Sequence, residues 1–177
     1  MKFATVRTCC LAATLVLGLL AFMVPTAARL PAQAQRQGVG MCTTAAESGE
    51  WAYTATGTLI KSTGPVQFAV VGRNTWDAKG NIIAGTQTTS GGGVIGQNTP
   101  RGTITVDPDC TGTIAVRLLD PTTGALQRTA TWAVVFDDNG REMRAIMTSL
   151  QLPDGTSVPP IVTMISYKLF PDRETAR

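Results

Sequence analysis

The chain contains no histidine. That absence removes the commonest general base, the usual nucleophile–histidine triads and the usual imidazole metal ligand. Cysteine is scarce: four residues, of which Cys9 and Cys10 sit near the start and only Cys42 and Cys110 lie beyond it. Charge is sparse too, at 15% of residues, while Thr and Gly are plentiful. That balance fits strands and tight turns and excludes a highly charged disordered chain. No Asn-X-Ser/Thr acceptor exists, because Asn98-Thr99 runs into Pro100. Sustained helical periodicity with caps is missing beyond residue 34. Only one long apolar run is present.

That run is Leu11 to Val24 (LAATLVLGLLAFMV), preceded by Lys2 and Arg7. It is short for a bilayer span and right for a signal-peptide core. Ala32-Gln33-Ala34 fits the A-x-A cleavage pattern, so residues 1–34 are expected to be a signal peptide cut after Ala34. An earlier cut after Ala27 and an uncleaved anchor are the alternatives. The expectation is a secreted or periplasmic protein with no stable membrane anchor. Lys2, Arg7 and Arg29 account for three of the 15 basic residues, and residues 1–34 hold none of the 12 acidic ones. Residues 35–177 therefore balance to zero formal charge. A neutral domain without basic clusters argues against a nucleic-acid partner.

Two cysteines in an exported chain read first as a disulfide, Cys42–Cys110. Cys42 precedes the first strong strand; Cys110 lies in the turn of TVDPDCTGT (105–113). A metal site lacks partners for its ligand set. A reactive thiol would need a basic neighbour, and Asp107 and Asp109 flank Cys110 with the opposite charge.

Period-two alternation runs through the rest. Glu50 to Lys61 sets Trp51, Tyr53, Ala55 and Leu59 on one face against threonines on the other. Val66 to Trp76 aligns Phe68, Val70, Gly72 and Trp76, or the opposite register. Ile82 to Thr89 follows the turn Asp77 to Asn81, and Gly91-Gly92-Gly93 reads as a flexible tip. Val94 to Val106 is expected as one broken strand or two, interrupted at Pro100. Thr113 to Leu119, Ala125 to Phe136 (Trp132, Val134 and Phe136 on one face), Met143 to Leu150 and Ile161 to Phe170 complete the set. About eight strands joined locally predict an all-β, eight-stranded antiparallel up-and-down barrel, with a sandwich as the alternative. The expected organisation is a flexible arm at 35–48, the barrel at 49–170 and a tail at 171–177.

Ser48-Gly49-Glu50-Trp51 at the first strand resembles the start of the calycins, the lipocalin-like and avidin-like barrels. That resemblance implies a Trp plugging a closed end, with Lys168 as the cation available to cover it. The Asp-Cys-Thr-Gly turn and the GTITV strand are similar to bacterial secreted proteins of this length. The Ser-Gly-X-Trp start with one disulfide also resembles the bacterial metalloprotease inhibitors, which implies a protein partner engaged through residues 35–48.

Three functions follow in order. The first is a non-enzymatic exported barrel binding a small apolar ligand, with no cofactor or metal. Trp51, Tyr53, Phe68, Trp76, Trp132 and Met147 are its expected lining, and a wholly filled interior would overturn it. The second is a protein-binding module acting through residues 35–48. The third is an enzyme using Glu or Tyr in a cavity. Ser90, Ser149 and Ser157 read as turn residues, Asp137-Asp138-Asn139-Gly140 as a hairpin turn, and Arg141, Glu142 and Arg144 as a surface ion-pair group.

Overall fold

The computed structural model describes residues 42–169, so the expected leader (1–34), the first half of the expected arm (35–41) and the tail lie outside the described residues. Eight strands follow one another: β1 (Gly49–Lys61), β2 (Gly64–Trp76), β3 (Asn81–Gly91), β4 (Val94–Val106), β5 (Thr111–Leu119), β6 (Leu126–Asp137), β7 (Glu142–Gln151) and β8 (Pro160–Leu169). Each pairs antiparallel with the next, and β8 pairs with β1 to close the barrel. Closure leaves no strand without a neighbour on each side, although the β3–β4 ladder is open between Ile82 and Gln87 and the β7–β8 ladder stops at Ile146 and Thr163. The expected fold is thus the observed one.

Alternation decides which side chains enter the core. On β1, Trp51, Tyr53, Ala55 and Leu59 are buried while Thr54 and Thr56 are exposed. On β2 the inner set is Phe68, Val70, Asn74 and Trp76, and Val71 points outward, 58% exposed. A one-residue slip would exchange these faces, so burial fixes the register.

The turns follow local chemistry. The carboxylate of Asp77 accepts from the backbone N–H of Lys79 and Asn81, and Gly80 takes the left-handed conformation (φ 82°). Gly92 and Gly93, with φ of 60° and 86°, form a two-residue turn between the paired Gly91 and Val94. Two successive positive φ angles make the tight hairpin that twisted strands prefer, so this is a defined turn.

Pro100 corrects one expectation. It does not interrupt β4, which runs unbroken from Val94 to Val106. The interruption lies in the ladder to β3 instead, where no pairing runs between Ile82 and Gln87. The missing proline N–H therefore falls where no partner is needed on that side. The Pro100 ring packs against Gly85, where an added Cβ would come within 2.6 Å of its Cγ.

One end of the barrel is sealed. Trp51 and Trp76 stack with centroids 5.0 Å apart, and Phe136 meets both edge-on, at 5.9 and 6.5 Å. Trp51 is fully buried, and its indole Nε1 donates to the Glu47 carbonyl at 3.0 Å. Lys168 Nζ lies 6.0 Å from the Trp51 ring and donates to the Ala46 carbonyl. Residues 42–48, the described half of the expected arm, form a turn across this end. They are tied there by the Cys42–Cys110 disulfide and by the Val106 N–H donating to Thr44 Oγ1.

Candidate functional site

The strand order places the other four connections at the opposite end: Ser62-Thr63, Gly92-Gly93, residues 120–125 and residues 152–159. An open pocket of about 560 Å³ occupies this mouth. Leu59, Val66, Phe68, Leu150 and Val158 form part of its apolar wall, and its polar groups are Lys61, Arg128 and the hydroxyls of Ser62, Thr89, Thr156 and Ser157. That volume lies in the range of small-molecule sites, about 300–1,000 Å³.

Below the mouth the barrel narrows. A second cavity of about 40 Å³ lies deeper, bordered by Tyr53, Phe68, Trp132, Met147 and Met164 among others. It has space for a few water molecules and none for a drug-sized ligand. Phe68, Arg128 and Leu150 border both spaces and form the neck between them.

Of the six aromatic and methionine positions expected to line a ligand site, Phe68 borders the mouth pocket, and Tyr53, Trp132 and Met147 border only the small deep cavity. Trp51 and Trp76 border neither. They are spent on the sealed end, where they stack on each other. Alternation assigns all six to the inside equally. Height along the barrel separates them, and that depends on which strand ends meet.

Polar residues on the inner wall are the larger surprise. Tyr53 Oη donates to Gln87 Oε1 at 2.8 Å, and Gln87 Nε2 donates to Asn98 Oδ1 at 3.3 Å. Asn98 Nδ2 then donates to Gln127 Oε1, and Gln127 Nε2 to Asp120 Oδ2 at the rim. The chain links the interior to the mouth across β1, β3, β4 and β6. Gly72 makes room for its first member: a Cβ there would sit 2.7 Å from the Tyr53 ring and from Gln87. Burial pushes the Tyr53 hydroxyl well above its ordinary value, so it stays a protonated donor.

Arg128 sits at the neck beside this chain. Its Nη2 donates to Asn98 Oδ1 at 3.3 Å, an oxygen already shared with Gln87, and its guanidinium lies 5.9 Å from the Phe68 ring centroid. Its Nε is buried with no hydrogen-bond acceptor. Burial lowers its pKa from the ordinary value, yet a guanidinium remains charged at any physiological pH. The alternation Trp132, Val134, Phe136, extended backward in steps of two, reaches Ala130 and then Arg128, so this inward cation was readable in principle.

Among the described residues, no group of three or more Cys, Asp or Glu stands together as a metal site. The Arg144–Glu142 pair (2.7 Å) lies on the exposed surface at the sealed end, away from the mouth. No family model matches the chain, and no curated protein matches it.

Proposed function

We propose that this chain is an exported, non-enzymatic barrel of the calycin kind that holds a small, largely apolar molecule at its open end. The observation that carries the reading is the mouth pocket of about 560 Å³, walled by aliphatic and aromatic side chains and set in a rigid closed sheet. The disulfide supports an oxidising, extracytoplasmic location. The Trp51 plug and its Lys168 cover support the calycin relationship. Because the deep cavity holds only about 40 Å³, the ligand seat is the mouth and neck and not the barrel centre.

Native mass spectrometry of the protein from its host's extracytoplasmic fraction tests this. The expected result is a discrete adduct lost on activation, together with saturable, one-to-one uptake of the neutral fluorophore N-phenyl-1-naphthylamine. A bare protein with no saturable uptake would remove the carrier reading. Deleting residues 35–41 should leave uptake unchanged; a loss of binding on that deletion would favour a site built with the arm.

A further inference from the structure

We infer that the ligand of this mouth is an amphiphile with one carboxylate head, seated on Arg128 at the neck, with its apolar tail along Phe68, Leu59, Val66 and Leu150. The inference rests on the carrier reading and adds the chemical class of the ligand.

Three observations carry it. First, Lys61 and Arg128 line the mouth and its neck, and no Asp or Glu borders either cavity. Among the described residues, no carboxylate forms an ion pair with Arg128. A partly buried cation without a counter-ion is costly, and an anion arriving from solution relieves that cost. Second, its hydrogen-bonding capacity is only partly spent: the buried Nε has no acceptor, and Nη2 shares one amide oxygen at a long 3.3 Å. Adjacent Nε and Nη donors are the fork that a planar carboxylate engages in two parallel bonds. Third, the groups next to Arg128 carry no charge, while Lys61 lies in the outer mouth and Asp120 at the rim beyond Gln127. Asn98, Gln87 and Gln127 supply dipoles and Phe68 a ring face, with no second guanidinium beside Arg128 to neutralise a dianion. One fork suits a monoanion.

A purely structural arginine, its stem packed in the neck and its head wetted at the rim, is the competing account. The two accounts differ in what removal of the charge does.

Displacement of N-phenyl-1-naphthylamine by decanoate and by decanol, at neutral pH, separates them. The native protein should bind decanoate about tenfold or more tightly than decanol, as a charge-assisted pair predicts. Arg128→Gln should bring the ratio to about one. Without ligand, the same variant should melt about 2–4 °C higher, because an uncompensated cation has gone. Arg128→Lys, which keeps the charge and loses the fork, should retain only part of the preference, and it serves if the glutamine variant does not fold. Equal affinities in the native protein, or a preference that survives in Arg128→Gln, would overturn the carboxylate assignment and leave the carrier reading standing. Failure of both decanoate and decanol to displace a bound fluorophore would also overturn the assignment. No uptake of the fluorophore at all would remove the carrier reading and this inference with it.

Discussion

Glu47 shows how one side chain can set a pH dependence. It is only 3% exposed, and its Oε2 has no hydrogen-bond partner. Burial raises its pKa above the ordinary carboxylate value, and the Lys168 ammonium offsets part of that rise. The folded protein therefore holds this proton more tightly than the unfolded chain does. Its contribution to stability is fully present below the unfolded value, near pH 4.3, and is lost as pH rises through the folded value. Glu47→Gln should raise the melting temperature at neutral pH and leave it unchanged in acid. A shift of equal size at every pH would remove that explanation. Gly140 shares the constraint, since a Cβ there would come within 2.5 Å of Glu47 Oε1. Gly72 makes a matching case inside the barrel. Gly72→Ala should push Tyr53 away from Gln87, lower stability by about 1–3 kcal/mol through overpacking, and show as a loss of the Tyr53 hydroxyl resonance from the hydrogen-bonded region.

Strands and turns were legible to different depths. Trp51-Tyr53-Ala55 and Trp132-Val134-Phe136 announce their inner faces, because a strand buried on one side must alternate. Gly57 weakens the pattern in β1, leaving two half-buried positions before Leu59. It sits where the backbone of β8 approaches so closely that a Cβ would lie 2.0 Å from the Ile161 carbonyl oxygen. A contact between strands more than 100 residues apart leaves no local mark. Pro100 misleads for a related reason: its cost depends on whether β3 pairs opposite it, which only the assembled sheet decides. The candidate site was half legible. Aromatic positions stood out, Tyr53 among them, but its partners Gln87, Asn98 and Gln127 lie on three other strands, and each of these amides alone looks like an ordinary surface residue. At the turns, Asp77, Asp109, Asp120 and Asp154 accept backbone N–H bonds two to four residues on, with side-chain bonds from Asn81, Thr111, Thr123 or Gln127 at three of them. These bonds hold each carboxylate below its ordinary value. Their stabilisation is present above the unfolded value, near pH 3.9, and is lost as pH falls through the folded ones. Carboxylate NMR titration should show all four midpoints depressed, and Asp77→Ala should be less stable at neutral pH and about as stable as the native protein in acid, so that it loses less on acidification. A normal Asp77 midpoint would contradict the geometry of its turn.

The described barrel is polarised between a sealed end and an open one. The disulfide belongs to the sealed end and spans 68 residues. Chain-entropy reasoning gives it about 4 kcal/mol, so a Cys42→Ser/Cys110→Ser variant should unfold at lower denaturant with fluorophore uptake at the mouth intact. Uptake lost in a variant that remains folded would mean that the two ends are coupled.

Barrel closure also has a consequence in time. The seam joins β1 to β8, so Ala52 on the first strand meets residues at the far end of the chain, its carbonyl accepting from Ser166 Oγ across 114 positions. Hairpins between neighbouring strands form from nearby sequence, but this seam cannot form until the other six strands have curled round. Such distant pairing slows folding, and until it is made both outer strands present bare edges. Until that seam pairs, a copy of the chain exposes two strand edges with which another copy can pair. The disulfide does nothing to shorten this exposure, because Cys110 lies midway along the chain. A cell making this protein faces its greatest risk of aggregation before the last strand arrives, and crowding many nascent copies together is the condition under which its yield should fall first.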